Sequence, residues 1–463
     1  NDYYLSCDNF REELKILIEE AVSFADLQSA EDAKEQDEAL AKSGGLLDSQ
    51  FLWKNLKYYM GQEYVGDLYP AQMSYITLMS GNLATPVNCM FIAASSTGKN
   101  AAMDAGKRFF PPTAYEEISA GSERSFIYSK ASFEHKILIM SEFDSWPTDG
   151  APAAAMRAVI TDSELIYDTV ITSSDGPPEQ FRLIKKGPTG LMSSTTGSLN
   201  QQESTRMLQV SLTGSAEQTK LVHKLIAQKA AGKRTPIDYA EYVAMNRWIA
   251  LEQKKNGYSE PIIPYAEKLT ELLWDKYGFA KQERSRRDLD QVMTCIKAVA
   301  LMHIKQRELD GEGRIISTPD DYGMASEVLG HVIETTQEEG LSKNTRALVN
   351  AIKELESEGM QQISQTDLAK HLDIKKGTAS KWCKEAVESG YIVNADAQSG
   401  TANEYQLGEA IPEGDSFPTL EELEAAIQEG LSINKIRNEQ QVNSLGNTKT
   451  GVKQEPFTLF PKS

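Results

Sequence analysis

The chain has little of what would mark a secreted, metal-clustered or membrane protein. Its four cysteines, Cys7, Cys89, Cys295 and Cys383, stand far apart without paired spacing. A disulfide framework and a cysteine zinc site are therefore both excluded as organising features, which fits a reducing compartment. The five histidines are equally scattered and read as surface or core residues rather than metal ligands. No apolar run approaches the length of a bilayer span and no signal-peptide pattern is visible, so a cytoplasmic setting without membrane partners is expected, in a bacterial, archaeal or phage-infected cell. Positive charge is also in deficit: the net charge is −19 over 463 residues. A surface of that sign cannot coat nucleic acid, so any such contact must come from local basic patches. What is present is ordinary globular material, 40% hydrophobic, long enough for two or three domains.

The most informative stretch runs from Phe91 to Asn100. A short apolar strand leads through Ala93, Ala94, Ser95, Ser96 and Thr97 into Gly98, Lys99 and Asn100, the start of a small-residue helix. This reads as a phosphate-binding loop: backbone N–H groups cradle phosphates, a lysine reaches the β- and γ-phosphates, and the next residue faces Mg²⁺. Gly98 and Lys99 match the pattern. Ala93 replaces its first glycine and Asn100 its hydroxyl, although an amide oxygen can also face a hydrated Mg²⁺. The expected ligands are thus ATP and Mg²⁺, with Ser95, Ser96, Thr97, Gly98, Lys99 and Asn100 around the nucleotide.

Lys136 to Met140 forms a second apolar run ending in Ser141, Glu142, Phe143 and Asp144. Acids at the carboxyl end of a buried parallel strand lie beside a phosphate loop, where one can orient the attacking water and another can hold the metal. Glu142 is the candidate base; Asp144, with Asn100, is the candidate Mg²⁺ contact because Ser141 stands where a metal-binding aspartate is expected. The alternative is a strand followed by a solvated acidic turn. Downstream, Glu164–Thr172 and Phe181–Lys186 flank a polar stretch as a β-hairpin. A strand ending in Ser193, Ser194, Thr195 and Thr196 follows, then Glu203 and Arg206. A polar strand end can sense the γ-phosphate, and an arginine beyond it can reach a neighbouring subunit's nucleotide.

This order of motifs resembles the AAA+ motor of superfamily-three and minichromosome-maintenance helicases, most closely the ATPase module of phage and mobile-element primase-helicase proteins. Arg284 to His303 resembles the helical lid of that group, with Arg287 in the place of the second sensor arginine. The resemblance covers roughly residues 46 to 340. It implies a homo-oligomeric, typically hexameric ring with ATP between subunits, Thr195 monitoring the γ-phosphate and Arg206 entering from the next subunit. It further implies a hairpin that grips one DNA strand in the channel, with Arg182, Lys185 and Lys186 near its return strand, 3′ to 5′ movement, and often a primase module upstream.

Residues 363–407 read as a helix capped by Ser364 or Thr366, a turn, a second helix from Thr378 to Ser389 and a two-stranded wing, the pattern of a winged helix-turn-helix. Lys375, Lys376, Lys381 and Lys384 give it a phosphate-facing charge; such modules also dock proteins. The expected fold class is α/β: a P-loop AAA+ core over 46–213, a helical lid and connector over 214–340, and the winged helix over 341–410. Residues 1–45 read as an acidic helical linker or peripheral helix pair without primase character, and 411–463 as a flexible acidic and polar tail with one helix from Leu420 to Glu429. In that tail Gln454, Phe457, Leu459 and Phe460 resemble a sliding-clamp-binding peptide. Two activities stay open at this point. One is a ring helicase acting on single-stranded and forked DNA; the other is an ATP-controlled initiator, loader or regulator without unwinding, whose degenerate form is a non-catalytic scaffold.

Overall fold

The computed structural model describes residues 2–118, 127–146, 150–162, 164–171, 179–197, 206–212, 214–277, 285–340, 343–360, 362–388, 391–394, 404–408 and 417–430. It is a mixed α/β structure organised on a five-stranded parallel sheet. The strands are β1 (Cys89–Ile92), β2 (Tyr115–Ile118), β3 (Lys136–Met140), β6 (Thr189–Thr195) and β7 (Leu208–Ser211), in the order β2-β3-β6-β1-β7. Strands β4 (Leu165–Ile171) and β5 (Glu179–Lys185) form a separate antiparallel hairpin. Its tip, 172–178, lies outside the described residues.

Apolar runs can occupy the sheet centre because both faces are covered. Along β3, Ile137 and Ile139 face one core while Leu138 and Met140 face the other, the period-two alternation of a strand. Strand β6 is buried throughout despite its hydroxyls. They are satisfied locally: Thr189 Oγ1 donates to Lys136 O and Ser193 Oγ to Met140 O, both at 2.8 Å. A polar strand is therefore tolerated in the middle of the sheet.

The larger core lies under helices α3 (Tyr69–Ser80), α4 (Lys99–Lys107), α7 (Ala240–Lys255), α9 (Ser285–Met302) and α10 (Pro319–Gly340). Helix α3 is buried almost all round, so it is a core element rather than a surface one. It meets α4 at Gly106, where an added Cβ would lie 2.5 Å from Ser74 Oγ and 2.7 Å from Tyr75 N. Gly106→Ala is accordingly expected to destabilise the protein by about 1–3 kcal/mol through overpacking against backbone, read as a lowered thermal midpoint; an unchanged midpoint would show that the two helices can part.

Helix α1 (Asp2–Lys42) is one continuous helix. Its C-terminal half lies on α7, with Glu35 paired to Arg247 at 2.6 Å and Asp32 to Lys254 at 2.5 Å. Helices α2 (Leu52–Glu63), α5 (Gly150–Asp162), α6 (Ala216–Ala230) and α8 (Ala266–Tyr277) complete this part of the chain. From Ala216 to Gly340 the described residues are mostly helical, as expected.

Beyond α10, helices α11 (Lys343–Ser357), α12 (Gln365–His371) and α13 (Lys376–Glu388) pack with the antiparallel pair β8 (Ile392–Asn394) and β9 (Tyr405–Leu407) around their own core. Leu348, Ile352, Leu368, Cys383 and Ile392 fill it. Ser364 caps α12 in a capping box with Asp367, settling the choice between the two expected caps. The following segment returns to the main body. Phe417 and Leu423 are buried in the larger core, Tyr322 donates to Pro418 O at 2.5 Å, and a helix spans 420–430. The sequence pattern predicts that helix but not its packing. Gln454, Phe457, Leu459 and Phe460 lie outside the described residues. Among the described residues no helix is long and apolar enough to cross a membrane.

Candidate nucleotide site

Three strand ends meet at the carboxyl edge of the sheet, the edge where open α/β sheets place their ligands. After β1 the chain turns through residues 93–98 into α4. Ser96 at φ 65° and Gly98 at φ 100° adopt left-handed backbone, and Thr97 Oγ1 ties the turn by donating to Ala94 O at 2.8 Å. Gly98 is the N-cap of α4, so the free N–H groups of the loop and of the first helical turn are available to an anion at the positive end of the helix dipole. The cavity here, about 490 Å³, is lined by residues 95–101, Ser141, Glu142, Asp144 and 194–196. Its volume falls in the range of small-ligand sites.

Lys99 is the first residue of α4, and its ammonium folds back over the loop, donating to Ala93 O at 2.6 Å and Ala94 O at 3.2 Å. Asn100 Oδ1 stands 3.5 Å from Ser194 Oγ, which itself donates to Ser141 O. Glu142 follows β3 in extended conformation, is exposed, and lines the same cavity as Lys99. The expected base and phosphate-binding lysine are thus brought together.

Asp144 has a different setting from the one expected of a metal ligand. Its Oδ1 accepts from Thr195 Oγ1, and its Oδ2 accepts from Thr196 N at 2.7 Å and Thr196 Oγ1 at 2.8 Å. Burial raises the pKa of this carboxyl, but the hydrogen bonds from Thr195 and Thr196 outweigh it and hold the value below the ordinary 3.8. A depressed folded-state value means that the brace contributes fully above 3.8 and is lost as pH falls through the lower folded value, so it is intact at neutral pH. Asp144 therefore ties the end of β3 to the end of β6. Its pairing with Thr195 and Thr196 is the feature sequence reading missed; the hydroxyl-rich strand end was visible, its carboxylate partner was not.

Arg206 and Arg287 do not line this cavity. Arg206 Nε donates to Thr161 Oγ1 at 3.0 Å at the end of α5, and its carbonyl accepts from Gln291 of α9 at 3.5 Å. Arg287 is exposed in the first turn of α9. On the hairpin, Arg182 is exposed but bound two-pronged to Asp168 across the strands, at 2.7 and 2.9 Å. Lys186 is exposed, whereas Lys185 is 8% exposed. Its ammonium donates to Ser129 O at 2.6 Å and Ala131 O at 3.2 Å and lies over the Phe133 ring. That placement turns Lys185 into the protein: alternate residues of a strand point to opposite faces, and Lys185 is on the inner one. Lys375, Lys376, Lys381 and Lys384 are all exposed on or beside α13.

Compared with known proteins, the chain matches no family model and no curated protein. The functional reading accordingly rests on the site itself.

The brace makes a prediction. Asp144→Asn is expected to lower the thermal midpoint, because the amide offers one acceptor oxygen where the carboxylate offers two and one of the bonds from Thr195 and Thr196 is lost. An unchanged midpoint would show that the two strand ends hold together without this carboxylate.

Proposed function

We propose that this chain is an ATP-driven motor of DNA replication in a phage or mobile element, a ring-forming helicase or translocase moving on single-stranded DNA. The observation that carries this reading is the convergence of Lys99, Glu142 and the Thr195–Thr196 strand end on one cavity at the carboxyl edge of a parallel sheet. This supports a P-loop AAA+ core. The α11–α13 and β8–β9 unit, with its exposed lysines, supports a winged helix-turn-helix that contacts DNA phosphates.

In this reading Lys99 leaves the carbonyls of Ala93 and Ala94 and moves to the β- and γ-phosphates of ATP. Glu142 orients a water and accepts its proton as the water oxygen bonds to the γ-phosphorus. The bond from that phosphorus to the β–γ bridging oxygen breaks, releasing ADP and phosphate. Arg206 of a neighbouring copy stabilises the charge that develops, and Arg287 senses the nucleotide from the lid. Among the described residues no cluster of three metal-binding side chains exists. This suits Mg²⁺, which keeps several waters and needs few direct protein ligands; Asn100 would hold it through water. The ion would neutralise phosphate charge.

Two observations favour a second reading, an ATP-controlled initiator, loader or regulator without unwinding. Lys185 is turned inward and Arg182 is neutralised by Asp168, which weakens the grip expected of the hairpin. Strand displacement on forked DNA decides between the readings. ATP-dependent displacement supports the motor; single-stranded-DNA-stimulated hydrolysis without displacement at any assembled concentration supports the switch.

A further inference from the structure

A second cavity, larger than the one around Lys99, shares no lining residue with it. It holds about 1070 Å³, ample room for a small organic ligand. Its walls come from the turn at Asp48, the chain just after α9, one face of α10 and the segment 417–420. Part of its charge is already spent. Arg307 is bound two-pronged to the fully buried Asp321, at 2.9 and 2.5 Å, and Glu327 takes Lys57 at 2.8 Å. Asp48 and Asp320, both exposed, remain as carboxylates with no partner among the described residues.

The neutral groups add acceptors. His303 lines the cavity although it is only 2% exposed. Its Nδ1 lies 2.9 Å from Val299 O, and a carbonyl only accepts, so Nδ1 carries the proton. Nε2 is left with a lone pair and no partner among the described residues. Burial, then the charge of Arg307, pushes the His303 pKa below its ordinary 6.5, so the ring is neutral at pH 7. Gln306 turns its amide nitrogen to Leu47 O and Ser49 O, at 3.2 and 3.0 Å, which leaves its Oε1 as an acceptor. The exposed Gln50 can donate or accept. Met324 and Leu420 give the same lining apolar surface. Two carboxylates, a ring nitrogen and an amide oxygen call for a positive ligand rich in N–H groups.

We infer that this cavity binds an organic cation, an alkylammonium or alkylguanidinium, whose N–H groups reach Asp48, Asp320, His303 and Gln306 while its carbon chain lies on the apolar lining. Such a group belongs to a free polyamine or to a lysine or arginine of another protein. Nothing in this site depends on the nucleotide, so it stands whether or not the chain is a motor.

Calorimetric titration of the full chain with spermidine, and separately with N-acetylarginine amide, tests the site at physiological ionic strength, where diffuse attraction to the acidic surface is screened. At least one of them binds wild type: spermidine if the ligand is a polyamine, the arginine derivative if it is a protein side chain. Asp48→Asn with Asp320→Asn weakens that binding at least about tenfold, through the loss of charge-assisted hydrogen bonds. Gly330→Phe does the same without removing a charge. Gly330 lines the cavity inside α10 and a Cβ there meets nothing within 4 Å, so the added ring has open space to fill. Glu12→Gln with Glu13→Gln, an equal loss of charge at exposed positions of α1, leaves binding unchanged. Circular dichroism and the thermal midpoint verify that each variant is folded. Binding of neither ligand overturns the inference. So does binding that survives in Gly330→Phe, or that falls equally in the α1 variant, since cations would then be adhering to the acidic surface at large.

Discussion

Replacing Lys99 by alanine is expected to lower ATP turnover by at least about 10²–10³-fold, the loss associated with removing one preorganised donor to transition-state charge. The structure explains why the effect should be confined to function. Among the described residues Lys99 Nζ bonds the carbonyls of Ala93, which is buried, and Ala94, which is exposed at the loop surface where water can replace the lysine. The left-handed turns at Ser96 and Gly98 and the Thr97–Ala94 hydrogen bond are independent of that side chain. Thermal stability should therefore stay near that of wild type while a fluorescent ATP analogue binds more weakly. Full turnover in Lys99→Ala would mean that the loop does not hold the reacting phosphates.

The second large effect is expected at Arg206. It does not line the cavity that holds Lys99 and Glu142, and on the ring reading proposed above it acts on a different copy's site. Arg206→Ala should spare nucleotide binding and lower hydrolysis in the assembled protein by about 10³–10⁵-fold, the range reported by arginine fingers. The local bond from Nε to Thr161 Oγ1 offers a structural explanation for any loss, so Thr161→Val serves as the control: it removes that bond and keeps the guanidinium. Mixing gives the sharper result. Neither Lys99→Ala nor Arg206→Ala copies turn over alone, yet mixed assemblies recover activity where an intact Lys99 faces an intact Arg206. Without recovery on mixing, the arginine does not act between copies.

The legible parts of the fold were those whose signal is local. Strands β1 and β3 are continuous apolar runs and were placed within a residue or two, and the start of α12 was narrowed to a cap at Ser364 or Thr366, of which Ser364 is the one. The loop from Ala93 to Asn100 was readable because Gly98 needs its left-handed backbone and Lys99 follows it directly. What escaped was long-range or depended on side-chain direction. Asp144 and Thr196 are 52 residues apart, and nothing in either segment names the other. The packing of Phe417 and Leu423 onto the main body is similarly remote from its sequence neighbours. The inward direction of Lys185 follows from the alternation of β5, which puts it on the face opposite Arg182, with its ammonium held by two carbonyls.

On the proposed reading Glu142 is the base on which turnover depends. Hydrolysis by wild type and Glu142→Gln should be measured with and without single-stranded DNA, across concentrations that span assembly. The proposed motor requires turnover that rises with assembly, is stimulated by DNA and vanishes in Glu142→Gln while ATP still binds. Equal turnover in the two proteins, or none in wild type under any condition, would contradict it.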